Sequence, residues 1–415
     1  MPSIRKIATA VVQANFHWTY VRVYSDARGG LYGTGECFVA PGLIAIIAEL
    51  GEILVGEEAM DIERLVEKMR WAASGAGSLS GVVWNAISGI EAALWDLKGK
   101  ALGAPVWQLL GGRFREEARI YLDCHAAGAL EALSPLLQPV PVAWESAGKE
   151  PSRSPEEIIV ASAARAQEVA RLGYTALKFD LDLPGSTFDA AGGYPLSTRE
   201  MSWMARLAAA LREAVGPEVD LALDAHWRYR ANDMLQVARE LESVRLLWLE
   251  DPLPPGNEAG LAYLRAQTST PIATGENLQL RRGFWDLIVH DLCDVLTPDL
   301  QKVGGLAEGK KIADMAATAN KPVALHMIGS PLALMASCHL AVAIPNFTVC
   351  EFHAHDVPFF HDLVAGGTAE WFRPGWVRPT GRPGFGVELD ERVGRRHRLP
   401  GSRWFDDASP RAGSP

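Results

Sequence analysis

Eight short apolar runs recur between residues 120 and 352, and their spacing constrains the fold more than any other feature of the chain. They are Ile120–Cys124, Ala176–Asp180, Leu221–Asp224, Leu247–Glu250, Ile272–Thr274, Val295–Thr297, Val323–Leu325 and Val349–Phe352. From the third onward the spacing is nearly even, and each interval is long enough for a strand, a helix and two loops. Eight such units close a (β/α)8 barrel, whose usual size is about 250 residues. The first two runs are farther apart. The excess includes Pro-rich Leu133–Pro155, predicted as a long loop on the catalytic face.

The N-terminal part has a different pattern. Ile4–Glu36 reads as extended segments, with a hairpin formed by Thr19–Tyr24, the turn Asp26–Gly30 and Leu31–Glu36. Val83, Ile87, Ile90, Leu94 and Leu97 then line one stripe of a helix, which Gly99, Gly103 and Pro105 are expected to end. The predicted class is α/β: a (β/α)8-type barrel, a modified TIM barrel, behind an α+β capping domain. The expected boundaries are residues 1–115 for the cap and 116–370 for the barrel. Residues 371–415 form a partly irregular C-terminal segment returning to the cap, frayed from Arg411 to Pro415.

Composition excludes several function classes. Forty basic against fifty acidic side chains give a net charge of −10, which argues against a nucleic-acid binder and against docking on anionic membranes. The five cysteines, Cys37, Cys124, Cys293, Cys338 and Cys350, contain no C-x-x-C pair and read as reduced, buried thiols. No secretory signal fits the N-terminus, and no uncharged run reaches the ~18 residues of a membrane helix. A cytoplasmic enzyme is expected.

The chemistry begins with three acids. Asp224, Glu250 and Glu276 are evenly spaced, each at or just past the end of an apolar strand (LALD, LWLE, IATGE). On successive parallel strands they share the C-terminal rim, where barrel active sites lie. Clustered carboxylates repel one another unless a cation sits between them, and all-oxygen ligands suit a hard ion, Mg²⁺ above all. Asp251, before Pro252, reads as loop structure.

His326 ends the strand VALH, and Asp299 follows the preceding strand in LTPD. A carboxylate beside a histidine fixes its tautomer and raises its basicity, as in a general base. His226 lies two residues past Asp224, at the same rim if the strand phase continues. Lys178 ends the second strand, with Asp180 in the same phase, and an inward lysine there needs anionic partners. Glu351 comes from the eighth strand. Lys302 is a candidate second cation, with a surface loop lysine as the alternative. His17 and Trp18 precede the Tyr20 strand. Trp227 and Arg228 follow His226 and are candidates for the distal end of a substrate, Arg228 by holding a carboxylate or hydroxyls; loop packing is the alternative for Trp227. Asp123 and His125 end the first strand and are further candidates. His353 and His355 receive no role.

Together these residues resemble the enolase superfamily, specifically its mandelate racemase-like branch. The likeness runs from EAALWDLKGKALGAPVWQLLGG (Glu91–Gly112) through ALKFD, LALDAH, LEDPLPP, IATGENL, TPDLQKVGGL, ALHMIGSP and CEFH. It implies Asp224, Glu250 and Glu276 as Mg²⁺ ligands, Asp299 and His326 as the Asp–His dyad, and Glu351 as the acid beside the substrate carboxylate. It also implies a cap that sets substrate choice, with His17 and Trp18 at the specificity loop, and a homo-oligomer. There are two departures. Mandelate racemase carries K-x-K on the second strand, whereas Lys178 here is followed by Asp180, which weakens a two-base racemase. It has an asparagine where this chain has His226, which resembles the branch's sugar-acid dehydratases, where that histidine expels the β-hydroxyl.

The function expected from this resemblance is a Mg²⁺-dependent hydro-lyase. It takes the α-proton of a 2,3-dihydroxy acid and eliminates the 3-hydroxyl to give a 2-keto-3-deoxy acid. The expected partner is therefore a small acid sugar. The alternatives are a racemase or epimerase using Lys178 against His326, and a non-catalytic sugar-acid binder. A muconate-type cycloisomerase would need a lysine near Asp299, and a barrel hydrolase would need H-x-H on the first strand, where the chain has Asp123-Cys124-His125.

Overall fold

The computed structural model describes residues 2–27, 29–76, 80–124, 154–181 and 195–406. His125, residues 133–153 of the predicted long loop and the tail from Arg411 lie outside them. The chain opens with an antiparallel sheet of β1 (Ile4–Gln13), β2 (His17–Ser25) and β3 (Tyr32–Cys37). β2 and β3 form the hairpin read from the sequence, with Tyr24 opposite Tyr32 at its closed end. α1 (Leu43–Leu54), α2 (Ile62–Ala72) and α3 (Val82–Leu102) complete this unit around one apolar core. Contrary to expectation, α3 runs through Gly99. A Cβ there would lie 2.6 Å from the Cα of Gly384, so the residue is glycine to admit a close backbone approach, and the helix ends at Gly103.

After the short α4 (Val106–Leu109), eight parallel strands close a barrel: β4 (Ala118–Cys124), β5 (Ala176–Asp180), β6 (Asp220–Asp224), β7 (Trp248–Glu250), β8 (Ile272–Thr274), β9 (Val295–Leu296), β10 (Val323–Leu325) and β11 (Phe347–Phe352). Each pairs with the next, and β11 returns to β4 with Glu351 opposite Tyr121. Every predicted run is a strand. Helices α5 (Pro155–Arg171), α6 (Thr198–Val215), α7 (Ala231–Glu240), α8 (Glu258–Arg265), α9 (Leu280–Val289), α10 (Leu306–Thr318) and α11 (Pro331–Ala343) follow the first seven.

After β11 comes a 3-10 turn (His361–Leu363) in place of an α-helix. The hairpin of β12 (Phe372–Arg373) and β13 (Trp376–Val377) then pairs antiparallel with β4. Beyond it lies α12 (Glu391–Arg396). Gln13 N–H donates to His397 O at 2.8 Å and Leu399 N–H to Val11 O at 2.9 Å, joining the C-terminal segment to β1. All 13 residues of α11 are buried, which explains why its sequence has no polar face. Among the described residues no helix is long and apolar enough to cross a membrane.

The barrel interior explains where the polar residues stand. One inward residue per strand forms an apolar floor: Tyr121, Ala176, Ala222, Trp248, Ala273, Val295, Ala324 and Val349. The rings of Tyr121 and Trp248 meet edge to face at 5.9 Å, and the alanines leave them room. Side chains alternate along a strand. Two residues beyond the floor, toward the C-terminal rim, therefore stand Asp123, Lys178, Asp224, Glu250, Thr297, His326 and Glu351. β8 turns at Gly275 and presents Glu276 instead. The apolar floor lies below this polar ring, and the burial of the ring strengthens interactions between its charges.

Candidate active site

Asp224, Glu250 and Glu276 are all buried, and one carboxylate oxygen from each lies within 4.8 Å of the others. The group fits a hard divalent cation. Its donors are all oxygens, and Oε1 of Glu250 is buried without a hydrogen-bond partner, an acceptor that a cation would satisfy. The other oxygen of Glu250 accepts from Trp248 Nε1 at 2.8 Å. Burial, reinforced by Asp224, Glu351 and Glu276, holds the Glu250 carboxyl well above its usual range despite the nearby Lys178. Asp224 goes the other way. Burial opposes its charge, but His226 and Lys178 outweigh that and lower it.

Lys178 is caged. Its Nζ lies 3.0 Å from Asp224 Oδ2, 3.1 Å from Glu351 Oε1 and 3.3 Å from Glu250 Oε2, above the Tyr121 ring. Burial works against the ammonium, yet Glu250 and Glu351 hold its pKa well above that of an ordinary lysine. These neighbours favour the charged ammonium.

On the far wall, His326 Nδ1–H donates to Asp299 Oδ2 at 2.7 Å, which leaves Nε2 facing Glu276 Oε2 at 3.3 Å and Glu351 Oε2 at 3.6 Å. Asp299 is itself fixed, with Oδ1 accepting from Gln301 N–H at 2.7 Å. Burial alone would lower the imidazole, but Glu276, Glu351 and the Asp299 bond push it up to about 9. Lys302 is buried rather than on the surface. Its ammonium donates to Asn277 Oδ1 at 3.3 Å and lies 4.0 Å from Asp299.

His226 reaches the same rim by a route that strand phase did not anticipate. β6 stops at Asp224, and the chain turns left-handed at His226 (φ 46°) and Trp227 (φ 52°). The His226 N–H donates to Asp224 Oδ1 at 2.9 Å, and its Nε2 stands 3.9 Å from both Asp224 and Asp180. Trp227 lies edge-on to the His226 ring, and Arg228 is partly buried in the same loop. His17 and Trp18 border a small cleft between cap and barrel, with Phe38, Gln301 and Ile328. Trp18 packs edge-on against Phe359 and Phe360.

Several residues around the site escaped the sequence reading. Phe38, just past β3, lays its ring 3.9 Å from Lys302 Nζ and beside His326. Glu36 crosses from the cap to accept from Ser330 N–H at the start of α11 and from Gln301 Nε2. Burial pushes its carboxyl up to about 7. His353, which had no assigned role, accepts at Nδ1 from Asn15 of the β1–β2 turn at 3.0 Å and faces Asp123 at 3.5 Å. Asp251 is loop structure, as read, but it is buried and left-handed (φ 39°). Burial, Glu276 and Asp224 raise its carboxyl to about 8. Trp248 and Tyr121 were findable from alternation, since each lies two residues before a polar rim residue. The cap residues carried no such signal.

Comparison with known proteins agrees with this architecture. Residues 4–111 match the model of the mandelate racemase / muconate lactonizing enzyme N-terminal domain, and residues 161–393 match the enolase C-terminal domain-like family. A D-xylonate dehydratase of Haloferax volcanii is 37% identical over 404 residues, covering 97% of this chain and 91% of that protein. A D-galactonate dehydratase of Klebsiella pneumoniae is 30% identical, covering 90% and 89%. The crystal structure of a mandelate racemase/muconate lactonizing enzyme-like protein from Rubrobacter xylanophilus superposes with a TM-score of 0.86 at 39% identity, covering 97% of this chain and 99% of that one. With both domain models matched in order and a barrel whose rim carries the acids and the Asp–His pair, the chain belongs to the mandelate racemase-like branch of the enolase superfamily.

Proposed function

We propose that the protein is a Mg²⁺-dependent hydro-lyase that dehydrates an acid sugar to a 2-keto-3-deoxy acid. Its similarity to D-xylonate, D-galactonate and D-mannonate dehydratases supports the reaction class. The observation that carries the reading is the pairing of His326 with Asp299, set across the barrel from His226. β6 and β10 are four strands apart in a ring of eight, so the two imidazoles approach a bound substrate from opposite walls.

Asp224, Glu250 and Glu276 would hold the ion, which supplies positive charge to the substrate carboxylate as the α-proton leaves. His326 Nε2 takes the proton from C2, with Asp299 fixing the tautomer. The C2–H electrons move into the carboxylate, where Lys178 offers a fixed ammonium. Glu351, between Lys178 and His326, orients that carboxylate. The electrons then return to form the C2–C3 double bond, the C3–O bond breaks, and His226 delivers a proton to the departing hydroxyl as water. The enol ketonises. A well-placed acid or base contributes about 10²–10⁴-fold. Asp180, Arg228, Lys302, His17 and Trp18 are the residues proposed to meet the rest of the substrate. Racemisation with Lys178 as second base is less well supported, because the surrounding acids favour the charged form of that amine.

The test is a screen of mono- and diacid sugars with Mg²⁺, reading 2-keto acid formation. The His326→Asn variant is then followed for α-deuterium exchange. Dehydration with a silent His326→Asn is expected. Persistent exchange in that variant would remove His326 as the base, and exchange without dehydration across the library would favour an epimerase.

A further inference from the structure

The loop that presents His226 is held under backbone strain. His226 and Trp227 are both left-handed, and so is Asp251 on the neighbouring strand end, at φ 39°. Non-glycine residues rarely adopt this conformation and keep it only where surrounding bonds enforce it. The enforcing bonds run between the two loops. Ala225 N–H donates to Glu250 O at 3.0 Å, and Trp227 N–H donates to Asp251 O at 2.6 Å. The left-handed turn at Asp251 aims that carbonyl. Asp251 is anchored on its own side by its N–H, which donates to Ala273 O at 2.9 Å, and by its side chain, whose Oδ1 accepts from the Thr274 hydroxyl. Its carboxylate lines a small cleft with Leu253, Thr274 and Asn277.

We infer that Asp251 is a positioning residue for the proton donor: its bond to Thr274 locks the turn whose carbonyl holds Trp227 N–H, and this fixes where the His226 imidazole stands. The inference rests on the proposed role of His226 in expelling the 3-hydroxyl. It assigns Asp251 to the second half of the reaction only, since His326 and Asp299 lie just past β10 and β9 and are reached by none of these bonds.

The experiment compares Asp251→Asn, Asp251→Ala and Thr274→Val with the full-length wild type. It measures the ratio of dehydration to α-deuterium exchange on one substrate, at saturating Mg²⁺ and across a Mg²⁺ titration. Asparagine tolerates the left-handed region and keeps an acceptor for Thr274. Asp251→Asn is therefore expected to stay within about 3-fold of the wild-type ratio, whereas Asp251→Ala and Thr274→Val lower it by about 10-fold or more, the scale of a misplacement of about 1 Å or less. The His226 imidazole resonances in ¹⁵N-histidine-labelled protein, assigned with His226→Gln, should move in Asp251→Ala and Thr274→Val but not in Asp251→Asn. If Asp251→Ala does not fold, Asp251→Gly, which accepts the turn but lacks the anchor, replaces it. Parallel loss of exchange and dehydration, a defect confined to Mg²⁺ affinity, or unchanged ratios would overturn the inference. If the wild type exchanges no α-proton from any acid sugar, the functional reading fails separately, and the imidazole resonances alone decide the positioning role.

Discussion

His339 lies midway along α11 and has no place in the chemistry, yet its environment sets a pH limit on the fold. The residue is fully buried. Its Nδ1 accepts from the Trp107 N–H of α4 at 3.0 Å, and its Nε2–H donates to Phe385 O at 3.1 Å. Both ring nitrogens are thus used by a neutral imidazole, and a second proton on Nδ1 would confront a backbone N–H. Burial lowers the pKa from 6.5 to about 4. The unfolded chain therefore takes up this proton before the folded one does. The stabilisation is fully present above about pH 6.5 and is lost as pH falls toward 4. At about 1.4 kcal/mol per pH unit the whole effect is roughly 3 kcal/mol, and about 2 kcal/mol of it falls between pH 6.5 and 5. His339→Gln removes the titration while offering an amide oxygen to Trp107 and an amide N–H to Phe385. Urea unfolding of both proteins at pH 7.5 and 5.0, at one protein concentration, should show the wild type losing about 2 kcal/mol more than the variant. Other titrating groups are common to both and cancel. Parallel losses would refute the argument.

Three further outcomes follow from the geometry. Replacing Lys178 with Met leaves Asp224, Glu250 and Glu351 without their ammonium; α-proton exchange should fall by about 10²-fold or more, and Mg²⁺ should raise the Tm of the variant more than that of the wild type, whereas wild-type turnover would sink the idea. Because burial and neighbouring acids favour the protonated Glu250 carboxyl, Mg²⁺ binding is expected to compete with protons there. Affinity should weaken as pH falls, and calorimetry in buffers of different ionisation enthalpy should register proton release; binding with no proton release at any pH would contradict this. Gly35 of β3 lies against α3, and a Cβ there would sit 2.3 Å from Gly89 O and 2.5 Å from Ala93 N. Gly35→Ala should thus destabilise the cap by about 3 kcal/mol or more, and an unchanged melting temperature would show that the sheet can move away.

The sequence exposes the parts of this molecule that repeat. Evenly recurring strands made the barrel legible, and alternation put Lys178, Asp224 and Glu250 on one inner face because regular strands obey a period of two. Where the backbone leaves that period, the reasoning fails in detail. His226 reaches the rim through a left-handed turn, and Gly99 lies inside α3 because the far-off segment at Gly384 packs against it. The cap contributions were illegible for a related reason. Asn15, Glu36 and Phe38 meet His353, Ser330 and Lys302 from the opposite end of the chain, and no local pattern encodes such contacts. Lys302 illustrates the limit, since a loop lysine looks the same in sequence whether solvated or pressed against a phenyl ring.

The charge balance of the rim ties these observations together. Among the described residues, Asp123, Asp180, Asp224, Glu250, Asp251, Glu276, Asp299 and Glu351 gather around Lys178 and Lys302 above the apolar floor. So many carboxylates cannot all stay ionised in such surroundings. The shifts go in opposite directions: Asp224 is lowered, whereas Glu250 and Asp251 are raised. Burial and mutual repulsion thus favour the protonated form at Glu250 and Asp251. A divalent cation held by Asp224, Glu250 and Glu276 would offset the same repulsion with fixed charge, and Glu276 is also the carboxylate that contributes most to raising His326. Cation binding would therefore be coupled to the basicity of His326 through one side chain. Removing such an ion would leave the imidazole at the raised value of about 9, so loss of activity on chelation would combine lost stabilisation of the substrate carboxylate with a base already carrying its proton. Exchange that partly recovers above pH 9 in chelated protein would separate the second contribution from the first.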